Sequence, residues 1–146
     1  MKIALGSDHG GYQLKEEIKH YLQKWRITFK DFGAFNETPV DYPYIGRRVA
    51  RVVAAGKFKY GILFCGTGIG MAMVANKVKG IRAAVSHNVY TAKMSRAHND
   101  ANILTLGGRV LKKKLAARIV ETFLKTPFEG GRHLRRVRKI DLTPSR

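Results

Sequence analysis

The sequence contains a single cysteine, Cys65, which stands immediately before a loop with glycine at three alternate positions, Gly66, Gly68 and Gly70. The residues before the loop, YGILFC, form an apolar run typical of a strand buried on both faces of a parallel sheet. Glycines that bend a strand into a helix leave free N–H groups, which attract anions at a helix N-terminus. The pattern therefore places a thiol beside a predicted anion site.

Three kinds of chemistry use a loop of this type. A dinucleotide site needs G-x-G-x-x-G and an acidic residue about 20 positions later, but position 71 is Met and residues 71–99 contain no acid. A cysteine phosphatase loop needs an arginine where Met71 stands. A third possibility is a thiolate base, since backbone amides favour the reactive thiolate and stabilise an enolate oxygen. The alternative without chemistry is that Cys65 is a small buried residue ending a core strand.

Other polar residues stand where predicted strands and helices end. Asp8 and His9 follow the strand over 2–7, His98 and Asn99 precede the strand over 102–107, and Arg109 follows it. A histidine at this type of edge can exchange protons with sugar oxygens at neutral pH. Each residue also has a structural interpretation: Asp8 can cap the next helix, and His98 and Arg109 can be surface groups.

The charge of the chain is strongly positive, with 28 Lys and Arg against 10 acids and a formal net charge of +18. Arg132 and Arg136 in GGRHLRRVRK are four residues apart, so on a helix they share a face and can clamp a phosphate. The same stretch can instead be a solvated tail or a nonspecific nucleic-acid contact. A basic nucleic-acid-binding module is thus a competing hypothesis, although the aromatic residues are not interleaved with the basic ones.

The apolar periodicity alternates between strand and helix along the whole chain. Predicted strands lie over 2–7, 28–33, 60–65, 81–86 and 102–107. Helical patterns lie between them, among them those over 44–56 and 69–79. Five strands alternating with helices predict an α/β protein, a three-layer α/β/α sandwich with a mostly parallel Rossmann-like sheet. Ligands of such sheets bind beyond the carboxyl ends of the strands. The length of 146 residues suits one domain, predicted over 1–146.

The amino-acid composition also limits which cellular compartment and which cofactors are expected. One cysteine cannot form an internal disulfide, and no apolar run reaches the ~20 residues that cross a bilayer, so we expect a cytoplasmic protein without a membrane partner. One cysteine and five scattered histidines have no metal-ligand spacing, so no metal site is expected.

The segments KIALGSDHGG, DYP, CGTGIGMAMVANKVKGIRAA, SRAHNDANILTLGGRV and EGGRH together resemble the type B ribose-5-phosphate isomerases, in the family that includes the galactose-6-phosphate isomerase subunits. The resemblance covers all but about the last eight residues. It implies an aldose–ketose isomerase acting through a cis-enediolate, without a cofactor, on ribose 5-phosphate or alternatively on a six-carbon phosphate such as allose or galactose 6-phosphate. Relatives with a glutamate base carry it in the next helix, where this chain has no acid.

The resemblance also implies a role for each matching residue. Cys65 would be the base, His98 would assist ring opening, and the Thr67 hydroxyl would act beside the loop amides. Substrate-binding residues would be Asp8, His9, Tyr42, Gly66, Gly68, Ile69, Gly70, Asn99, Arg109, Arg132 and Arg136. It further implies a homo-oligomer, a dimer or a tetramer with shared active sites, in which the basic extension over about 128–146 packs on a neighbouring subunit.

Overall fold

The computed structural model describes residues 1–142, which form one five-stranded sheet and six helices. The elements are β1 Lys2–Ser7, α1 Tyr12–Lys24, β2 Thr28–Asp31, α2 Tyr42–Ala54, β3 Tyr60–Cys65, α3 Ile69–Ala75, β4 Ala83–Val85, α4 Val89–Ala97, β5 Ile103–Gly107, α5 Lys113–Lys125 and α6 Arg132–Asp141. The strand order is β2-β1-β3-β5-β4, and every pairing between the described strands is parallel. The predicted α/β sandwich is confirmed.

Two apolar layers cover the sheet. On one face, Ile18 of α1 and Phe123 of α5 belong to the same cluster as Phe64, and on the other face Val49 of α2 and Met71 of α3 pack in a cluster with the other side of the sheet. All six residues of β3 are buried, which explains the uninterrupted apolar run. The central strand therefore delivers Cys65 to the carboxyl edge from a rigid position.

Two helices begin or end at residues other than those that the apolar periodicity predicts. Helix α2 begins at Tyr42, two residues before the apolar pattern, because proline is tolerated in the first turn of a helix. Helix α3 ends at Ala75 instead of residue 79, because the Asn76 side chain exchanges two hydrogen bonds with the Ala83 backbone, of 2.8 and 2.9 Å. Within residues 1–142, every helix is too short or too polar to cross a bilayer.

The basic extension is helical from Arg132 onwards. Helix α6 buries His133 and Val137, and Asp141 near its end pairs with Arg82 at 2.8 Å. Much of the predicted extension over 128–146 thus docks on its own chain, while residues 143–146 lie outside the described residues. Packing on a neighbouring subunit stays a prediction.

A buried ion pair ties α1 to the end of β2. Lys15 is fully buried, and its Nζ donates to Asp31 Oδ1 at 2.7 Å and Oδ2 at 2.8 Å. Burial alone would raise the pKa of Asp31, but hydrogen bonds from Lys15, the Gly33 amide and Lys19 outweigh it and lower that pKa. Since Nζ also donates to the Ala34 carbonyl, Lys15 anchors the start of the loop that leads to α2.

We predict that Lys15→Met destabilises the fold by about 3–5 kcal/mol, because it leaves the Asp31 carboxylate without its main buried partner. Urea unfolding followed by circular dichroism measures this. The matched control is Lys125→Met, which breaks an exposed pair with Glu121 and should cost less than about 1 kcal/mol. Equal losses in the two variants would contradict a structural role for the buried pair.

Candidate active site

The glycine loop holds the Cys65 sulfur at the start of α3. Cys65 is the last residue of β3 and is 5% exposed, and its Sγ accepts a hydrogen bond from the Gly68 amide at 3.1 Å. Gly68 has φ 81°, in the left-handed region that favours glycine. The next amide, of Ile69, donates to the Thr67 hydroxyl oxygen at 3.2 Å. The Gly68 amide therefore holds the Cys65 sulfur at the N-terminal end of α3.

The loop is closely covered on two sides, which leaves no room for larger residues. A Cβ on Gly68 would lie 3.0 Å from the Leu106 backbone. A Cβ on Gly70 would lie 2.8 Å from the Tyr42 ring. The structure thus places Tyr42 across the first turn of α3, beside the loop.

The turn after β1 abuts the same loop. A Cβ on Gly10 would lie 3.1 Å from the Gly66 nitrogen. Asp8 is buried, its amide donates to the Phe64 carbonyl at 3.2 Å, and its Oδ1 accepts from the Gly11 amide at 3.1 Å. The Asp8 carboxylate therefore stabilises the turn that precedes α1, and Gly11 itself is the N-cap residue of the helix.

His9 lies in an open cavity of about 460 Å³ beside this turn, lined by Asp8, His9, Val40, Asp41, Tyr42, Pro43, Tyr44 and Arg47. Its Nδ1 accepts a hydrogen bond from the Val40 amide at 3.2 Å. Because the acceptor nitrogen is unprotonated, the neutral ring carries its proton on Nε2. His9 can therefore donate to an anionic or hydroxyl group in the cavity.

Arg109 brings a cation to the loop from the end of β5. Its amide donates to the Gly66 carbonyl at 3.0 Å, and a Cβ on Gly66 would lie 3.2 Å from the Arg109 Nη1. The carboxyl edge of the sheet thus gathers a thiol, backbone donors and a cation. We call this set the cysteine cluster: Asp8, His9, Tyr42, Cys65, Thr67 and Arg109.

A second set of predicted residues lies around His98, which caps the C-terminus of α4. The ring of His98 stacks on His133 of α6 with centroids 4.2 Å apart and planes within 10°. Glu129 Oε2 lies 3.9 Å from His98 Nε2 and 3.5 Å from His133 Nε2. Arg132 and Arg136 lie on the same short helix and are exposed, as is Asn99 on α4's side. We call this set the histidine cluster: His98, Asn99, Glu129, Arg132, His133 and Arg136.

Glu129 and His133 have no role predicted from the sequence, although both stand in the EGGRH motif. The four-residue spacing of Glu129 and His133, with His133 next to Arg132, is the feature of the sequence that could have indicated a shared position near the phosphate-binding arginines. The stack on His98 depends on α6 folding back against the end of α4, which spacing does not encode.

A metal ion does not fit the histidine cluster well. Donor atoms of His98, Glu129 and His133 lie within 4.8 Å of one another. However, nearly parallel stacked rings direct their in-plane nitrogen lone pairs side by side, not to one point. Two arginines in the same cluster add further positive charge. The arrangement is better suited to an anion and to proton exchange.

The two clusters lie at opposite edges of the sheet within one chain. Helix α4 returns from the carboxyl end of β4 to the amino end of β5, so His98 lies at the amino edge, close to where the Gly61 amide bonds to Asn102. Cys65 lies at the other end of β3, a strand about 17 Å long. The structure therefore does not bring His98, Asn99, Arg132 or Arg136 to Cys65 of the same chain.

Known proteins resemble this chain over nearly its whole length. The model of the Ribose/Galactose Isomerase family matches residues 3–140. The chain is 45% identical to ribose-5-phosphate isomerase B of Escherichia coli over 95% of this chain and 93% of the relative. It is 42% identical to D-erythrulose-4-phosphate isomerase of Pectobacterium atrosepticum, over 96% and 93%.

Among solved structures, ribose-5-phosphate isomerase B of Clostridium thermocellum superimposes with a TM-score of 0.95 at 55% identity, covering 97% of this chain and 95% of that one. These matches extend over nearly the whole described fold and include both clusters. The chain therefore belongs to the ribose/galactose isomerase family, and it is an aldose–ketose isomerase of sugar phosphates.

Proposed function

We propose that the protein interconverts ribose 5-phosphate and ribulose 5-phosphate, with Cys65 as the base. The observation that carries the proposal is the hydrogen bond from the Gly68 amide to Cys65 Sγ, at 3.1 Å, where a strand turns into a helix. Cys65 is the one residue of the cysteine cluster that adjoins this loop in sequence and has a side chain that can act as an anionic base. The helix after the loop, IGMAMVA, contains no carboxylate that would compete for the role.

The reaction moves one proton between neighbouring carbons. The Cys65 thiolate removes the proton from C2 of the open-chain aldose, and the electron pair forms a C1–C2 double bond as the carbonyl oxygen becomes negative. The resulting thiol returns the proton to C1, while a hydroxyl proton shifts from O2 to O1. Proton transfer of this type needs a positioned base and a stabilised enediolate, and contributes about 10²–10⁴-fold in rate.

The enediolate oxygen would be stabilised by the amides at the start of α3. The first N–H groups of a helix have no intrahelical partners, and a preorganised donor aimed at a developing oxyanion stabilises the transition state. The Gly68 amide donates to Cys65 Sγ, so we assign the enediolate oxygen to the neighbouring amides of the loop, from Gly66 to Gly70, where Gly70 lies beside the Tyr42 ring. The Ile69 amide donates to the Thr67 oxygen at 3.2 Å, so the Thr67 hydroxyl hydrogen is the donor that this pair would offer.

The histidine cluster would act on the same substrate from a second copy of the chain. His98 would move protons on the ring oxygen during opening, Asn99 would hold a hydroxyl group, and Arg132 and Arg136 would bind the phosphate with Arg109 and His9. Since these groups lie at the opposite edge from Cys65, a complete site needs two chains. Asp8 and Tyr42 would line the sugar.

Exposed apolar side chains beside the cysteine cluster support such a dimer. Ile69 and Met73 are exposed one turn apart on α3, and Tyr44 is exposed at the start of α2. Leu134 on α6 is exposed beside Arg132 and Arg136. A two-fold dimer would bury both surfaces, because each chain offers its α6 to the partner's glycine loop. Whether two such dimers form a tetramer does not affect this site.

Ribose 5-phosphate is the first choice of substrate, and a six-carbon phosphate such as allose 6-phosphate is the alternative. The D-erythrulose-4-phosphate isomerase relative is named for a four-carbon substrate, so the family scaffold accepts different chain lengths. A higher kcat/KM for a six-carbon phosphate than for ribose 5-phosphate would select the alternative.

We place the activity in the cytoplasm, since an unpaired catalytic thiolate needs a reducing compartment.

We predict that Cys65→Ala lowers kcat for ribose 5-phosphate by about 10²–10⁴-fold while the substrate still binds, because the variant removes only the base. Turnover is followed by ribulose 5-phosphate formation, and binding by the thermal shift that ribose 5-phosphate causes. Cys65→Ser, which keeps the shape but replaces the thiol with a weakly acidic hydroxyl, should lose a comparable amount. Full turnover in either variant would rule out Cys65 as the base.

We predict that two inactive variants restore activity when their subunits mix. Cys65→Ala and His98→Asn chains co-expressed in equal amounts should recover about a quarter of the wild-type activity, since half of randomly assorted dimers carry one intact site of two. Separately purified variants kept from exchanging subunits are the control. Mixed dimers without any recovery would show that Cys65 and His98 of one chain serve the same site.

We predict that His98→Asn raises the pKa of His133. Burial lowers the pKa of His133, and repulsion by His98 and Arg132 lowers it further. Removal of His98 eliminates one of these contributions, so the His133 ring should take up its proton at higher pH. Ring-proton NMR titration measures this, with Lys114→Gln on α5 as a distant control. An unchanged midpoint would mean that the stacked pair is not electrostatically coupled.

A further inference from the structure

A group of cations at the β2 edge of the sheet belongs to neither cluster of the proposed site. We call this group the β2 edge patch: Lys2, Lys30, Arg48, Arg51 and Lys57, all of which are exposed. The register pairs Lys2 with Thr28 and Ala4 with Lys30. Since side chains alternate along a strand, Lys2 and Lys30 project from the same face of the sheet, which is the face covered by α2.

Two buried aromatic rings hold three of these cations close together. Phe32 and Phe58 meet edge to face with centroids 5.5 Å apart. Lys30 Nζ and the Arg48 guanidinium each lie 5.3 Å from the Phe32 ring, and Lys2 Nζ lies 4.8 Å from the Phe58 ring. Cation–π attraction of this kind contributes about 0.5–1 kcal/mol at exposed sites. The cations are therefore ordered around one aromatic pair and repel one another.

None of the five patch cations forms an ion pair with an acid among residues 1–142. The acid nearest in sequence, Asp31, belongs to the other face of β2, where it binds Lys15 and Lys19. Surface cations are normally interspersed with acids. An uncompensated group of this size attracts an anionic partner and gains free energy when its own repulsion is neutralised.

The patch is separate from the substrate phosphate. In the proposed site the phosphate binds with Arg109 and His9 at the carboxyl edge of the sheet. Lys2 instead lies at the amino end of β1, and Lys30 lies within β2. The cavity beside His9 is lined by Arg47 and by none of the five patch residues. Catalysis therefore does not explain these charges.

We propose that the β2 edge patch binds the phosphate backbone of nucleic acid without selecting a sequence. Its five cations are all exposed and lie on two strands, helix α2 and the turn that follows it. Such a surface binds a single phosphate weakly, whereas a polymer with regularly spaced phosphates engages several cations at once. The Phe32 and Phe58 rings are 8% and 7% exposed and covered by the cations, so bases cannot stack on them.

The surface suits nucleic acid better than an anionic membrane. Binding in a bilayer interface normally adds apolar side chains that insert beside the cations. None of the five patch residues is apolar, and the exposed Tyr44, one turn before Arg48 on α2, belongs to the surface that we assign to the dimer. The exposed Met1 next to Lys2 lies with Trp25 and Ile27 in a groove that also includes Leu124 of α5, on the other face of the sheet. Contacts to phosphate alone are the kind that this surface offers.

The test compares two variants that lose the same charge. Lys30→Gln/Arg48→Gln removes two patch cations, and Lys114→Gln/Arg118→Gln removes two exposed cations from α5 on the opposite face. The probe is a fluorescent 20-nucleotide RNA of mixed sequence, measured by anisotropy over a series of salt concentrations. Circular dichroism and turnover of ribose 5-phosphate show that each variant is folded, and the binding assay itself requires no turnover.

We expect the wild-type affinity to fall linearly with salt on logarithmic axes, with a slope that is smaller by about 1.4 in the patch variant, since each lost contact to a single strand contributes about 0.7. At low salt the patch variant should bind at least about tenfold more weakly, and the α5 variant should stay within about twofold of wild type. Isomerase activity of the patch variant should not change.

Several outcomes would overturn the proposal. Equal weakening in both variants would mean that net charge alone attracts RNA, and absence of wild-type binding at low salt would remove the partner. Binding to phosphatidylglycerol vesicles but not to RNA would assign the patch to membranes. A patch variant that self-associates while its RNA affinity is unchanged would assign Lys30 to protection of the β2 edge against strand pairing.

Discussion

The hydrogen bond from the Gly68 amide to the Cys65 sulfur connects the fold to the chemistry. It requires the chain to turn from β3 into α3 with a left-handed residue at Gly68, directly against the backbone of β5. Central position in a parallel sheet supplies the rigidity that this close packing needs, because β3 is buried along its whole length. Loss of the turn would move the sulfur away from the amides of the glycine loop, so the position of the base that we propose depends on the loop geometry.

In a parallel α/β sheet, polar residues that follow a strand lie at one edge of the sheet, and polar residues that precede a strand lie at the opposite edge. Every strand ends at the carboxyl edge, where Asp8, Cys65 and Arg109 meet, and every helix after a strand returns to the amino edge, where α4 leaves His98. The buried Arg96 holds that helix end in place through bonds to Asp100 and the Ala101 carbonyl, both at 2.7 Å. In the function we propose, each cluster supplies one half of a site, and a second copy of the chain supplies the other half.

The large positive charge has two different structural settings. On α6, Arg132 and Arg136 share a surface with the His98–His133 stack, where a substrate phosphate would neutralise them. At the β2 edge, Lys30 and Arg48 are ordered over the Phe32 ring and have no acidic partner among the described residues. The net charge by itself predicts attraction of anions, and only the grouping of cations on particular surfaces distinguishes a small phosphate from a polymer.

The sequence by itself determined the fold class, the five strands and the loop around Cys65, because apolar periodicity and glycine spacing are local properties. It also placed Asp8, His9 and Arg109 at one edge, since the carboxyl ends of parallel strands coincide. It did not predict the early start of α2 or the end of α3 at the Asn76–Ala83 hydrogen bonds. It also did not predict that Glu129 and His133 contact each other and lie against His98. The order of the elements also puts Cys65 at the end of a strand and His98 before the start of one, and hence at opposite edges of a parallel sheet. Only the tertiary structure decided that α6 folds back on α4 and stacks His133 on His98. Those facts depend on contacts between residues distant in the chain, which no local pattern records.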